Sequence, residues 1–137
     1  MTDPIWTSRT LHITRGHLLT ANDKLHWARR ASLTKQLRRW GYFLGREGRG
    51  VECLRLARAR VVFEVAYPDR RRRDRHNLAP TIKAVLDGLI DAGLLPDDSD
   101  GYLDGLETVV ANRLAAQQLN VPMYELRVLV YADMDKE

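Results

Sequence analysis

Cysteine is nearly absent from the chain: Cys53 stands alone among 137 residues. That excludes an internal disulfide framework and any metal cluster built on several thiolates, and it suits a reducing compartment. No apolar run approaches the ~20 residues of a membrane span, and the Met1-Thr2-Asp3-Pro4 start does not read as a signal peptide. The expectation is a soluble, cytoplasmic protein with no membrane partner. Internal repeats are lacking, and the one biased segment is a short arginine run. A chain of this length suits one domain over 1–137, large enough to bury a core without staples.

Charge is plentiful and unevenly placed. Residues 1–86 carry 19 Lys/Arg and 7 Asp/Glu, net +12, whereas residues 87–137 carry 3 and 11, net −8. Eighteen of the 22 basic residues are Arg, whose rigid fork matches phosphate oxygens. A basic half beside an acidic half suits a protein that grips a polyanion next to metal ions. It equally suits a solvated basic surface in an arginine-rich chain.

Alternation at Leu11-His12-Ile13 predicts a first strand, reaching back towards Trp6. Thr20-Ala21-Asn22-Asp23-Lys24 supplies turn and capping oxygens. From about His26 to Leu44, the residues Leu33, Leu37, Trp40 and Leu44 share one helical face, and Gly45, Gly48 and Gly50 are expected to end that helix. Val61, Phe63, Val65 and Tyr67 predict a strand closed by Pro68. A second helix runs to about Ala92, with Pro80 in its first turn and Gly93 as its C-terminal cap. Leu106–Leu114 and Tyr124–Tyr131 predict two more strands. The order is β-α-β-α-β-β, an α+β domain with a small mixed sheet packed with helices.

The segment richest in chemistry is Asp69-Arg70-Arg71-Arg72-Arg73-Asp74-Arg75-His76-Asn77, followed by Lys83, Asp87, Asp91 and the pair Asp97-Asp98. Four consecutive arginines repel one another unless an anion sits among them. Asp74 and His76 project to one side of an extended segment. A helix of about 12 residues is about 18 Å long, so Asp97-Asp98 reach the same ion only if the following loop folds back. Carboxylates among arginines suit Mg²⁺ or Mn²⁺ held against a phosphodiester; the same spacing suits Asp74 and Asp98 that merely neutralise Arg70–Arg73. Lys83, Asp87 and Asp91 form a polar stripe that reads as function or as a plain solvated face. A calcium-loop register over Asp98, Asp100, Gly101, Asp104 and Glu107 fails at its first position, where Pro96 offers no side-chain oxygen.

The basic run, the Asp-x-x-Asn of Asp74–Asn77, the Lys83-to-Asp87 spacing and the late Asp97-Asp98 pair together resemble the RusA-type Holliday-junction resolvases. The early Asn22-Asp23-Lys24-Leu25-His26-Trp27 also resembles that family's Asn-x-Arg-aromatic segment. The likeness follows element order along nearly the whole chain and is specific over 68–98. It implies a RusA-like domain that is a metal-dependent endodeoxyribonuclease, acting as a homodimer to resolve four-way junctions in recombination and repair. Asp74, Lys83 and Asp98 would be catalytic, and Asp74, His76, Asp97 and Asp98 would hold Mg²⁺ or Mn²⁺. Lys24, Arg70, Arg71, Arg72, Arg73, Arg75 and Asn77 would contact DNA.

Two departures bear on that reading. His76 stands where the family has a second metal aspartate, and imidazole favours Mn²⁺ over Mg²⁺; it could instead shuttle protons or donate to phosphate. Lys83 follows Asn77 by six residues rather than three, a change of about 300° and 4.5 Å along a helix. A branched-DNA-binding protein that no longer cuts, or a nuclease with relaxed branch preference, are the alternatives.

Overall fold

The structure, a computed structural model, describes residues 3–48, 59–95, 103–116 and 121–132. Val61, Phe63 and Val65 are fully buried on one face of β3 (Ala59–Ala66), while Arg60 and Glu64 face the other way. β3 is central. It pairs in parallel with β4 (Leu103–Val110) and antiparallel with β5 (Met123–Ala132), giving a mixed sheet. A parallel neighbour requires a crossover, and α2 (Ala79–Asp91) supplies it.

The first strand is interrupted. β1 (Trp6–Thr7) and β2 (Leu11–Thr14) both pair antiparallel with β5, but Thr7 lies opposite Leu129 and Leu11 opposite Leu126. One extra residue is thus accommodated as a bulge, where Ser8 Oγ accepts the Val128 N–H at 2.9 Å. β5 spans two residues more than its expected range. β4 begins three residues before the expected Leu106 and ends at Val110. Asp104 and Gly105 are poor strand formers: Asp104 falls at a register shift opposite Ala59 and Arg60, and Gly105 is held by pairing with Arg60. As the sheet's edge, β4 also carries exposed Leu106 and Val110, so its alternation is a weak guide.

α1 (Trp27–Gly48) packs with α2 over the Val61–Phe63–Val65 face. The expectation that Gly45 ends α1 is corrected: it lies inside the helix, buried, whereas Gly48 is its last residue and Gly50 lies outside the described residues. Gly45 and Gly48 both allow close approach. A Cβ on Gly45 would come within 2.8 Å of Ala92 Cβ, and one on Gly48 within 2.7 Å of Leu94 Cδ1. Gly41 and Gly88 go further, setting backbone against backbone at the crossing. α2 begins with Pro80 in its first turn and ends as expected at Gly93, φ 83°. There Gly93 N–H donates to Ile90 O at 2.9 Å and Leu94 N–H to Leu89 O at 3.1 Å, the paired bonds of a Schellman cap. No described helix is long and apolar enough to cross a membrane.

Candidate nucleic-acid interface

β3 delivers the chain through Tyr67 and Pro68 to the arginine run. Asp69 organises that run. Its Oδ1 accepts the Arg71 N–H at 2.9 Å, an Asx turn, and Arg73 Nη1 at 2.8 Å. The Arg73 guanidinium and the Arg71 N–H hold the Asp69 carboxyl below its usual range. Arg73 also donates to the carbonyls of Asp69 and Arg71 and lies over the rings of Tyr67 and Tyr124, 5.0 and 5.6 Å from their centroids. Its side chain is only 17% exposed. Arg73 is therefore folded into the protein, whereas Arg70, Arg71 and Arg72 are exposed.

Next, Asp74 Oδ1 accepts the His76 N–H at 3.0 Å and caps a 3-10 turn over Arg75–Leu78. Such capping by a short acidic side chain satisfies an otherwise orphaned N–H. Asn77 in that turn reaches the 20–24 loop: its Oδ1 accepts Asn22 N–H at 3.2 Å, and its carbonyl accepts Ala21 N–H at 2.9 Å. Asp23 fixes the loop from within, accepting Thr20 N–H at 3.0 Å and Arg15 Nη2 at 2.9 Å. Partial burial would raise the Asp23 pKa, but Arg15 and Thr20 bring it below the ordinary value. Thr81, on the first turn of α2, accepts Leu19 N–H at 2.8 Å and donates to Leu19 O at 2.7 Å, fully buried.

These ties build a cleft of about 590 Å³. Arg15, Arg71, Arg72 and Arg73 border it against Asp69 and Asp74, with Asn22 and Asn77 between. Tyr67 and Tyr124 form part of its wall. The Tyr67 hydroxyl is buried with no hydrogen-bond partner among the described residues, and burial pushes its pKa above the ordinary value, so it remains neutral. Across the 3-10 turn lies a second hollow of about 430 Å³, bordered by Arg75, His76 and Lys83 and by Leu106–Thr108 of β4. Lys83 Nζ pairs with Asp87 Oδ1 there at 2.8 Å. Asp91 instead clamps Arg38 of α1, Nη2 to Oδ1 at 2.8 Å.

Asp74, Asn77 and Arg71–Arg73 are thus gathered at one cleft, with Arg75, His76 and Lys83 at its neighbour. Lys24 is exposed on the 20–24 loop. Asp97 and Asp98 lie outside the described residues. Among the described residues no three His, Cys, Asp or Glu side chains gather to hold an ion. Asp74 keeps Oδ2 clear of its capping bond, which suits one ligand of a hard cation completed by further carboxylates. Arg15, Tyr67, Tyr124 and Thr81 were not singled out by the sequence; only Tyr67 carried a signal, as the last buried position of an alternating strand. Compared with known proteins, the chain matches no family profile and no curated protein.

Proposed function

We propose that the protein is a RusA-type, metal-dependent endodeoxyribonuclease that binds branched DNA and resolves four-way junctions by paired symmetric nicks. One observation carries this reading: the two motif segments, around Asn22 and around Asp74–Asn77, meet in a single arginine-lined cleft. Such a cleft favours a ligand that brings its own negative charge, as a phosphodiester backbone does.

Arg70, Arg71, Arg72 and Arg75, with Lys24, would neutralise backbone phosphates, which positions DNA by shape rather than base sequence. Lys83 and His76, in the adjoining hollow, would meet the strand beyond the 3-10 turn. Asp74 with Asp97 and Asp98 would hold Mg²⁺ or Mn²⁺, which supplies a polarised phosphodiester and a water of lowered pKa. Because a four-way junction has two-fold related strands, paired nicks call for a homodimer with one site per subunit.

A second reading, a branched-DNA-binding protein that does not cut, is favoured by the use of Asp74 Oδ1 as a backbone cap. An end-labelled synthetic four-way junction incubated with the protein and Mg²⁺ or Mn²⁺ separates the two. Symmetric nicks in two opposed strands are expected. A junction bound tightly but left intact with either metal gives the second reading, and no preference for the junction over linear duplex overturns both.

A further inference from the structure

The N-terminal end of α1 carries a large, exposed side chain whose one ring contact among the described residues is the neighbouring His26, 5.5 Å between centroids. Trp27 is 76% exposed, the most exposed large apolar residue described. Trp27 opens α1 three residues after Lys24 of the 20–24 loop. Asn77 fastens that loop through Asn22, so Trp27 lies at the molecule's Asp74–Asn77 end.

Around Trp27 the surface is basic. A hollow of about 540 Å³ is bordered by Trp27, Arg30, Ala31, Thr34, Lys35 and Arg38. Arg38 is neutralised by Asp91, but Arg30 and Lys35 have no carboxylate partner among the described residues. From Trp27 to Gly48 the only acidic residue is Glu47, near the far end, against Arg29, Arg30, Lys35, Arg38, Arg39 and Arg46. An indole face flanked by unneutralised cations is the chemistry on which nucleic-acid bases stack while their phosphates are held. An apolar protein partner would leave those cations to be desolvated without compensation.

We propose that Trp27 is a stacking platform for an unpaired DNA base, so that the protein engages single-stranded nucleotides at a branch as well as its duplex arms. This rests on the DNA-binding reading above and adds a substrate class to it: branches that carry, or open to give, unpaired nucleotides.

Fluorescence anisotropy with a labelled oligothymidylate, a blunt duplex and a four-way junction, for the parent protein, Trp27→Ala and Trp27→Phe, tests the proposal. Trp27→Ala should weaken oligothymidylate binding by about tenfold or more, since one stacked base contributes about that much. Blunt-duplex affinity should change by less than about twofold, because phosphate contacts remain. Trp27→Phe should recover most of the loss. Unchanged oligothymidylate binding by Trp27→Ala, or an equal loss on all three probes, overturns the platform. So does a Trp27→Ala protein that changes only its oligomeric state by sedimentation, which would make this face a contact between copies. A parent protein that binds the junction but not oligothymidylate overturns the platform and leaves the nuclease reading standing; one that binds none of the probes overturns both.

Discussion

Asn77 accepts the backbone N–H of Asn22 through its side-chain oxygen, across fifty-five residues of sequence. The 3-10 turn that carries Asp74 and His76 is thereby fastened to the 20–24 loop. Removing Oδ1 in Asn77→Ala leaves the Asn22 N–H unanswered at a cost of about 1 kcal/mol. Thermal unfolding should register that modest loss, and junction affinity should fall further than stability predicts because one wall of the cleft is released. Asn77→Asp keeps the acceptor, so its stability should match the parent's while an added negative charge weakens DNA binding.

Asp74→Asn should leave the melting temperature unchanged, because an amide oxygen still accepts the His76 N–H. Cleavage should be lost, with junction binding equal or tighter, since a charge that repels phosphate is gone. Asp98→Asn should likewise abolish cutting. His76→Ala spares the cap, whose donor is main chain, so a change in Mn²⁺ against Mg²⁺ preference would report ligation alone. Nicking assays in each metal check all three variants.

The arginine run should divide into two behaviours. Arg71→Glu with Arg72→Glu should weaken binding to every DNA sequence alike and flatten the log–log salt slope by about one unit per lost phosphate contact. Arg73→Gln should instead lower the melting temperature, because it removes the bond to Asp69 and the stacking on Tyr67 and Tyr124. Salt titrations and thermal melts on the same proteins separate the effects.

Gly88→Ala should destabilise the fold by about 3 kcal/mol or more, measured by denaturant unfolding. Its Cβ would collide with Arg38 O and with Tyr42 N at 2.6 Å, main-chain atoms of α1 that no side-chain rotation can move aside. Gly16→Ala, with open space around it, should be tolerated.

Acid should loosen the pairing of the two helices. Arg38 holds the Asp91 carboxyl below its ordinary 3.8, so the folded state binds that proton less readily than the unfolded chain. The resulting stability is fully present above pH 4 and is lost as the pH falls through the lowered folded value. Both partners are roughly half exposed, so the pair contributes at most about 1 kcal/mol. Asp91→Asn should be less stable than the parent by up to that amount at pH 7, and the difference should shrink as the pH falls through the lowered folded value. Melts across that range check the sign.

Large apolar residues at regular spacing made both helices and the central strand legible. Leu33, Leu37 and Leu44 mark the buried face of α1, and the Schellman cap at Gly93 follows from a glycine placed just past a periodic run. Gly45 misled because a glycine in a sequence signals a break as readily as a close approach, and only the neighbouring helix distinguishes them. At the candidate site the Asp74–Asn77 segment stood out by residue type. The inward turn of Arg73 did not, since four identical side chains in a row give no sign of which one finds an aspartate and two tyrosines. The tie from Asn77 to Asn22 is likewise a product of packing, with no local pattern to announce it.

The arginine run grows from the end of β3, a strand held by neighbours on both sides, and Val65 and Tyr67 are further bound to Ala111 and Ala115. Folding therefore brings Arg15 up to a run of arginines already adjacent in sequence, and this added repulsion is part of the cost of the native state. A polyanion that recognises the gathered charges but not the dispersed ones acts on the folding equilibrium as well as on the cleft. On the DNA-binding reading proposed above, nucleic acid of any sequence would stabilise the folded form of the surface it binds.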